Sequence, residues 1–343
     1  MPVAAAVSGE KPEVHWGEPG ENLLVFVSDI TLQMYIKELN ISLTEDFHLL
    51  AFSGLQKASY VLILSISLLY LLCMFGNLII IAVVWAAQRL HTPMYYFLCN
   101  LSTLDITYVS TILPKLLDSQ VTGESRISFL GCFTQLFMSV ACVDTEFLLL
   151  SSMAFDRYVA ICDPLKYSII INKRTCLVLS LTPWTIGALN SLLYVFLISH
   201  LSFCDSKHLF HYYCDMKALL RISCSDTRHV NIVILSEVYT LGFIAFGMIL
   251  TSYVLIISAI MKIKTFAKRM KIFSSCSSHL TVVLLFCGSS LTVYMSPDSK
   301  SSTELDMMLS LLYVAVVPAL NPLVYSLRNK DVLDVLRVAK IIS

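Results

Sequence analysis

Seven apolar stretches, separated by short polar segments, constrain the fold of this 343-residue chain more than any other feature. A membrane-spanning helix needs about 20 predominantly apolar residues, and each stretch reaches that length. Backbone amides in hydrocarbon must be satisfied within their own segment, and the alternation typical of barrel strands is missing. We therefore predict an all-α membrane protein with seven transmembrane helices, over Ser59–Ala87, Met94–Leu117, Phe129–Ile161, Cys176–Ile198, His229–Met261, Ile272–Tyr294 and Met307–Leu327.

Composition agrees with lipid as the main solvent, since only 14% of the residues are charged and the mean hydropathy is +0.75. A soluble domain carries about 25% charged residues. The net charge of +0 gives no bulk attraction to nucleic acid, so no nucleic-acid partner is expected.

The polar ends complete the predicted domain organisation. Residues 1–21 hold no apolar core of signal-peptide length, and residues 1–58 are predicted to form a tail outside the membrane, ahead of a seven-helix domain over 59–327. Residues 328–343 carry apolar side chains that share one helical face, which predicts a short amphipathic helix on the inner leaflet. These side chains are Val332, Leu333, Val335, Leu336 and Ala339.

Lysine and arginine in the loops set the orientation, because cytoplasmic loops are enriched in them. The breaks after the first, third and fifth stretches are basic, as is the tail, whereas the opposite loops mix both signs. We therefore expect the N-terminus outside and the C-terminus in the cytoplasm. Asn40-Ile41-Ser42 is then an accessible N-glycosylation site, whereas Asn100-Leu101-Ser102 lies within a predicted helix.

Four carboxylates fall inside predicted helices: Asp105, Asp144, Glu146 and Glu237. Such groups are costly in a membrane and usually face the interior of the bundle. Asp105 and Glu146 lie at similar depth and could share a proton or a small cation such as Na⁺. The alternative is a structural contact with hydroxyls such as Ser102 or Ser151. Asp144 and Glu237 lie nearer the outer half, at the depth of a pocket, although for Glu237 simple exposure competes.

Eleven cysteines divide into two groups. Cys132, Cys204, Cys214 and Cys224 face the oxidising side, and spacing leaves all three connectivities open. The other seven are expected to be free and buried: Cys73, Cys99, Cys142, Cys162, Cys176, Cys276 and Cys287.

An enzyme is not expected, because the chain lacks a phosphate-binding glycine loop and an H-E-x-x-H pair. His279, beside Ser274–Ser278, is interpreted as capping or loop polarity. The alternative function is a membrane transporter of small organic molecules, although the internal repeats that transporters show are missing.

Ordered motifs then point to one family. MAFDRYVAIC runs over 153–162, LHTPMYYFL over 90–98, LSTLD over 101–105, KIFSSCSSHL over 271–280 and PALNPLVYSLRNK over 318–330. Together they resemble the olfactory receptors, a branch of the rhodopsin-like G-protein-coupled receptors, over about residues 38–340. The resemblance implies a plasma-membrane receptor that binds a small, volatile odorant and activates a stimulatory, cAMP-raising heterotrimeric G protein.

The resemblance also implies residue roles. The G-protein switch would comprise Asp156, Arg157, Tyr158, Tyr253, Asn321, Pro322 and Tyr325. Asp105, Glu146 and Asn321 would form a polar site for Na⁺, the one ion expected besides the ligand. Disulfides would join Cys132 to Cys214 and Cys204 to Cys224. The odorant would bind in the outer half of the bundle among Ser139, Val140, Val143, Asp144, Glu237, Leu241, Ser290, Leu291, Tyr294 and Val314.

The chain departs from the family pattern in places that matter for function. Asp163 and Lys166 stand where the family often has histidine, and Cys287 stands where it usually has tyrosine, near the pocket floor. Asp144 adds a carboxylate that a purely apolar pocket would not need. From Asp144 we expect a ligand that carries a polar or basic group.

Overall fold

The computed structural model describes residues 46–50, 59–203, 207–295 and 302–326 together with Val332 and Val335. Asn40 and the cytoplasmic helix predicted over 328–343 lie outside these residues, apart from Val332 and Val335, which are helical.

Within the described part of the chain, seven long helices run in the order that the apolar stretches predict, which confirms the predicted fold class. They are α1 (Ser59–Ala86), α2 (Pro93–Thr122), α3 (Phe129–Cys162), α4 (Lys173–Ser199), α5 (Arg228–Met261), α6 (Phe266–Met295) and α7, which comprises Ser302–Leu311, Leu312–Val316 and Val317–Ser326. Among the described residues, α1, α3, α4, α5 and α7 are long and apolar enough to cross a membrane. Helices α2 and α6 have 30 residues each, a length of about 45 Å.

Helix α3 forms the axis of the bundle. In its apolar window 78% of the residues are buried, against 22% in α1 and 28% in α4. The outer faces of α1 and α4 instead present large apolar side chains such as Leu64 and Phe196. In water, exposed apolar faces of this kind would promote aggregation, so these faces are suited to lipid.

Small residues let neighbouring helices approach closely. A Cβ atom at Gly187 of α4 would lie 2.6 Å from the Ala141 carbonyl oxygen and from Thr145 Oγ1 on α3. Gly76 of α1 lies as close to Pro322 of α7, where a Cβ atom would meet the ring at 2.8 Å. Hydroxyl groups reinforce the α3–α4 contact, since Ser191 Oγ donates to the Phe137 carbonyl at 2.6 Å.

Several helix boundaries differ from the prediction; α7, for example, begins at Ser302 and not at Met307. Helix α2 continues past Leu117 to Thr122 and ends at Gly123, whose φ of 74° provides a left-handed cap. Polar residues ended the apolar stretch there but not the helix, because Lys115 and Asp118 form an i,i+3 ion pair at 2.8 Å. Helix α6 begins at Phe266, before the predicted Ile272, so its basic first turns extend beyond the apolar span.

Short strands join the segments at one end of the bundle, which we call the disulfide end. Strand β1 (Phe47–Leu49) lies within the predicted tail. It pairs antiparallel with β2 (Arg126–Ile127) and parallel with β3 (His208–Leu209). The opposite end, which carries Arg157, is called the Arg157 end. Shorter helices cover Gln88–Leu90, Tyr167–Ile170 and the loop helix Met216–Arg221.

Candidate functional site

A disulfide fixes the loop between α4 and α5 to the start of α3. Cys132 and Cys214 are bonded at 2.02 Å, and the Cys214 backbone N–H donates to Gln135 Oε1 at 2.9 Å. Cys224 is also disulfide-bonded, and its expected partner Cys204 lies outside the described residues. The seven cysteines expected to be free are free; five are buried, and Cys99 and Cys162 are half-buried.

Ion pairs hold the same loop to α7. Asp306, which is 3% exposed, accepts from Arg221 at 3.0 Å and lies 3.3 Å from Lys217 Nζ. Lys217 also donates to the Val293 carbonyl of α6 at 3.0 Å. Nearby, burial lowers the pKa of His211, against the opposing effect of the Asp215 and Asp306 carboxylates. The loop is therefore docked on the bundle by charge as well as by the disulfide.

Beneath this loop lies a small cavity between α3, α5 and α6. Its lining is mostly apolar with a few polar groups, which is the character of small-molecule pockets. Eight of the ten predicted ligand residues line it: Val140, Val143, Asp144, Glu237, Leu241, Ser290, Leu291 and Tyr294.

Two predicted ligand residues do not line this cavity. Ser139 is buried and donates to the Leu136 carbonyl at 3.0 Å, and Val314 is buried in the core on α7. Cys287 is also absent from its lining. The neighbouring Phe286 packs against Phe147, with ring centroids 5.1 Å apart, and Phe147 does line the cavity.

The two cavity carboxylates share a donor from α4. Asn190 Nδ2 donates to Asp144 Oδ2 at 2.7 Å and also to Glu237 Oε1. The Tyr194 hydroxyl donates to the second oxygen of Glu237. Glu237 is half-buried and immediately precedes the π-helical turn Val238–Gly242, a kind of irregularity that often marks functional sites. The polar-pocket interpretation of Glu237 fits this geometry better than simple exposure near a helix end.

A second polar group lies deeper, where α2, α3 and α7 meet. Asn321 Nδ2 donates to both oxygens of Asp105, at 3.1 and 2.9 Å. Glu146 is fully buried, and neither carboxyl oxygen has a hydrogen-bond partner among the described residues. The expected alternative partners bond elsewhere or not at all: Ser151 donates to the Phe147 and Ala245 carbonyls, and Ser102 Oγ has no described partner. The metal ligands that this group could offer are carboxyl and amide oxygens, which a small, hard cation prefers.

At the Arg157 end, polar contacts link neighbouring helices. Asp156, next to Arg157, accepts from the Tyr167 hydroxyl at 2.8 Å. Tyr253 of α5 lies 2.6 Å from His279 Nδ1 of α6, and the Tyr325 ring lies beside His279. The interpretation of His279 as loop polarity was wrong. His279 lies inside α6 and is 1% exposed.

Comparison with known proteins shows the family to which this fold and these motifs belong. The family model described as "Olfactory receptor" matches residues 66–343. Human olfactory receptor 1L6 is 41% identical over 312 residues, which cover 90% of this chain and 89% of that protein. Rat olfactory receptor 1f45 is 39% identical over 87% of this chain and 95% of its own, and mouse olfactory receptor 1E16 is 42% identical over 81% and 87%.

The chain belongs to the olfactory receptor family. It is therefore a receptor rather than an enzyme, and a multi-pass protein of the plasma membrane.

Sequence reasoning missed part of this olfactory receptor's cavity. Phe147, Met216, Ile234, Val238 and Gly242 also line it. Four of them look like ordinary core residues in the sequence, and Met216 belongs to a loop whose position depends on the disulfide. Asn190 and Tyr194 were missed too, although a lone asparagine in an apolar helix was a usable signal.

Proposed function

We propose that this olfactory receptor binds a small odorant in the cavity between α3, α5 and α6, and that it then activates a heterotrimeric G protein of the stimulatory, cAMP-raising type. One observation carries the proposal: a mostly apolar cavity with a few convergent polar groups lies beneath a loop fixed by a disulfide and ion pairs. Such a cavity is the usual form of a small-molecule site.

The proposed orientation places the disulfide end outside the cell. A disulfide is stable in an oxidising compartment, and the basic loops lie at the opposite end. The odorant would then enter from outside, and the G protein would bind at the Arg157 end.

Coupling between the two ends requires an element with two states. The polar contacts at the Arg157 end suit that role, because the Tyr253–His279 contact joins α5 to α6 and the Asp156–Tyr167 bond joins α3 to the following short helix. Separation of α5 and α6 would break the first contact and open a surface beside Arg157. Ligand binding between the same helices would bias that separation.

The deeper carboxylates support a second part of the proposal, a sodium ion held by Asp105 and Glu146 with the Asn321 amide oxygen. Both carboxyl groups are buried, so a cation would offset their charge. We expect Na⁺, but not an equal concentration of a large organic cation, to raise the unfolding temperature of the purified receptor. The Glu146→Gln variant should lose this difference; an unchanged difference in that variant would contradict the site.

The coupling proposal is tested by measuring cAMP in cells that carry the receptor at their surface, across a diverse odorant panel. We expect at least one compound to raise cAMP in a concentration-dependent way, and Arg157→Ala to abolish the response at equal surface density. Uptake of the compounds without any cAMP response would favour a transporter instead.

A further inference from the structure

We infer that the ligand of the cavity is a small protonated amine, whose ammonium group donates hydrogen bonds to Asp144 and Glu237. This inference rests on the proposed ligand site and adds the chemical class of its occupant.

The charged groups at the cavity favour a cationic ligand. Asp144 is 5% exposed, and it shares the Asn190 amide donor with Glu237, so the two carboxyl groups are neighbours. None of the described residues that line the cavity is lysine, arginine or histidine. Lys217, which follows the lining residue Met216, is directed to Asp306 and the Val293 carbonyl. Two buried carboxyl groups without a cation are costly, so a cationic ligand would supply the missing charge.

The hydrogen-bond donors in and behind the cavity lining are already directed at acceptors of the protein. Both described hydroxyls on the lining are already directed at acceptors: Ser290 donates to the Phe286 carbonyl at 2.7 Å, and Tyr294 donates to Asp215 at 3.5 Å. Behind the lining, Asn190 and Tyr194 direct their donors to the carboxylates. The cavity therefore offers carboxylate lone pairs but few free donors. It suits a ligand that donates, and an ammonium group donates up to three hydrogen bonds.

The apolar walls of the cavity favour an amine that is carried on a hydrocarbon skeleton. Val140, Val143, Leu241 and Leu291 provide an apolar surface for a hydrocarbon skeleton. Phe147 and Tyr294 add aromatic rings within the same cavity, and aromatic faces attract cations. A neutral alcohol would fit the walls but would leave the two carboxyl groups without a counter-charge.

The test compares compounds that share a skeleton and differ in charge: n-hexylamine with n-hexanol, and cyclohexylamine with cyclohexanol, with hexanoic acid as an anionic control. Two readouts are used on the full-length receptor. The first is cAMP in cells with matched surface density, and the second is the ligand-dependent unfolding temperature of purified receptor, which requires no G protein. The variants are Asp144→Asn and Glu237→Gln. The matched control is Asp226→Asn, which changes an exposed loop carboxylate paired with Arg228.

We expect the amines to be at least about tenfold more potent than the matching alcohols, and Asp144→Asn to lower amine potency by about tenfold or more. Asp226→Asn should leave it unchanged. Amines that stabilise the purified receptor without raising cAMP would support the amine site and contradict the coupling proposal. Alcohols that act as well as amines, or an Asp144→Asn variant that keeps the amine preference, would overturn the amine inference while leaving the receptor function intact. Amines that neither stabilise nor activate the surface-expressed receptor would also overturn it.

Discussion

Asn190 links the two acidic side chains of the cavity, because it donates one amide hydrogen to each of them. Asn190→Leu would remove both amide hydrogen bonds while keeping a side chain of similar size. The carboxyl groups of Asp144 and Glu237 would then lack the donor that lies between them. A buried polar group that loses its partner costs about 1–3 kcal/mol. We expect a lower unfolding temperature and less receptor at the cell surface.

The control for Asn190→Leu is Thr185→Val on the same helix. Thr185 is exposed towards lipid and bonds only to the Leu181 carbonyl of its own helix among the described residues. Thr185→Val should leave the unfolding temperature and the amount of receptor at the cell surface almost unchanged. Equal losses in both variants would mean that the effect comes from α4 in general and not from the carboxylates.

At this scale the sequence predicts the residues whose chemistry is unusual for their surroundings. Asp144, Glu237, Asp105 and Glu146 stand out because carboxylates are rare in apolar stretches. Tyr194 does not stand out, because tyrosine is common in membrane helices and its partner lies on another helix. Which side chains meet across helices depends on rotation and close approach, and a single sequence does not contain that information.

Close approach between α3 and α4 depends on Gly187. A side chain there would enter the space now taken by the Ala141 carbonyl and the Thr145 hydroxyl. Overpacking of this kind costs about 1–3 kcal/mol. We expect Gly187→Leu to lower the unfolding temperature of the purified receptor. Gly247→Leu on α5 is the matched control, since no atom lies within 4 Å of its Cβ position. A similar loss at Gly247 would contradict the packing argument.

Docking of the loop onto α7 should depend on pH through His211. Burial lowers the pKa of His211 below its ordinary value of 6.5, so the folded loop favours the neutral ring. The unfolded chain gains a proton as the pH falls through about 6.5, and the folded receptor resists that gain. Stability from this group is therefore present above pH 6.5 and lost below it. Asp215 and Asp306 oppose the shift, and Arg221 reinforces it.

The measurement is the unfolding temperature of purified receptor at about pH 7.5 and about pH 5.5. We expect the drop between them to be smaller in His211→Gln than in the unchanged receptor. His48 and His208 are present in both proteins, so the difference isolates His211. An identical drop in both proteins would show that His211 does not contribute.

The elements themselves follow closely from the sequence, whereas their ends do not. Apolar length predicts α1 to α7, because the thickness of the bilayer fixes how much apolar chain is needed. It does not predict that α2 continues to Thr122 or that α6 begins at Phe266, because a helix can continue outside the lipid. The three short strands at the disulfide end were also missed. They have two or three residues each and form only where distant segments are brought together.

At the scale of the whole molecule, the two ends have different kinds of polar contact. The disulfide end combines a disulfide, ion pairs and short strands, which together hold the loop in place. At the Arg157 end, hydrogen bonds such as that between Tyr253 and His279 link neighbouring helices, and the ion pair of Lys166 with Asp163 lies within one loop. Hydrogen bonds of this kind are individually modest in a membrane, about 1 kcal/mol. A fixed end at the proposed ligand site and a more easily rearranged end at the proposed G-protein site suit a receptor.

The most direct test of ligand binding in the cavity is to fill it and measure agonist-evoked cAMP. Val143→Phe would place an aromatic ring into the lining, and Leu189→Phe would place the same ring on the lipid-facing side of α4 as a matched control. Both variants are compared at equal surface density, with the agonist found in the odorant screen. We expect Val143→Phe to lower agonist potency by about tenfold or more, a loss of about 1.4 kcal/mol of binding free energy, and Leu189→Phe to leave it unchanged. An unchanged response in Val143→Phe would mean that the odorant acts somewhere other than this cavity.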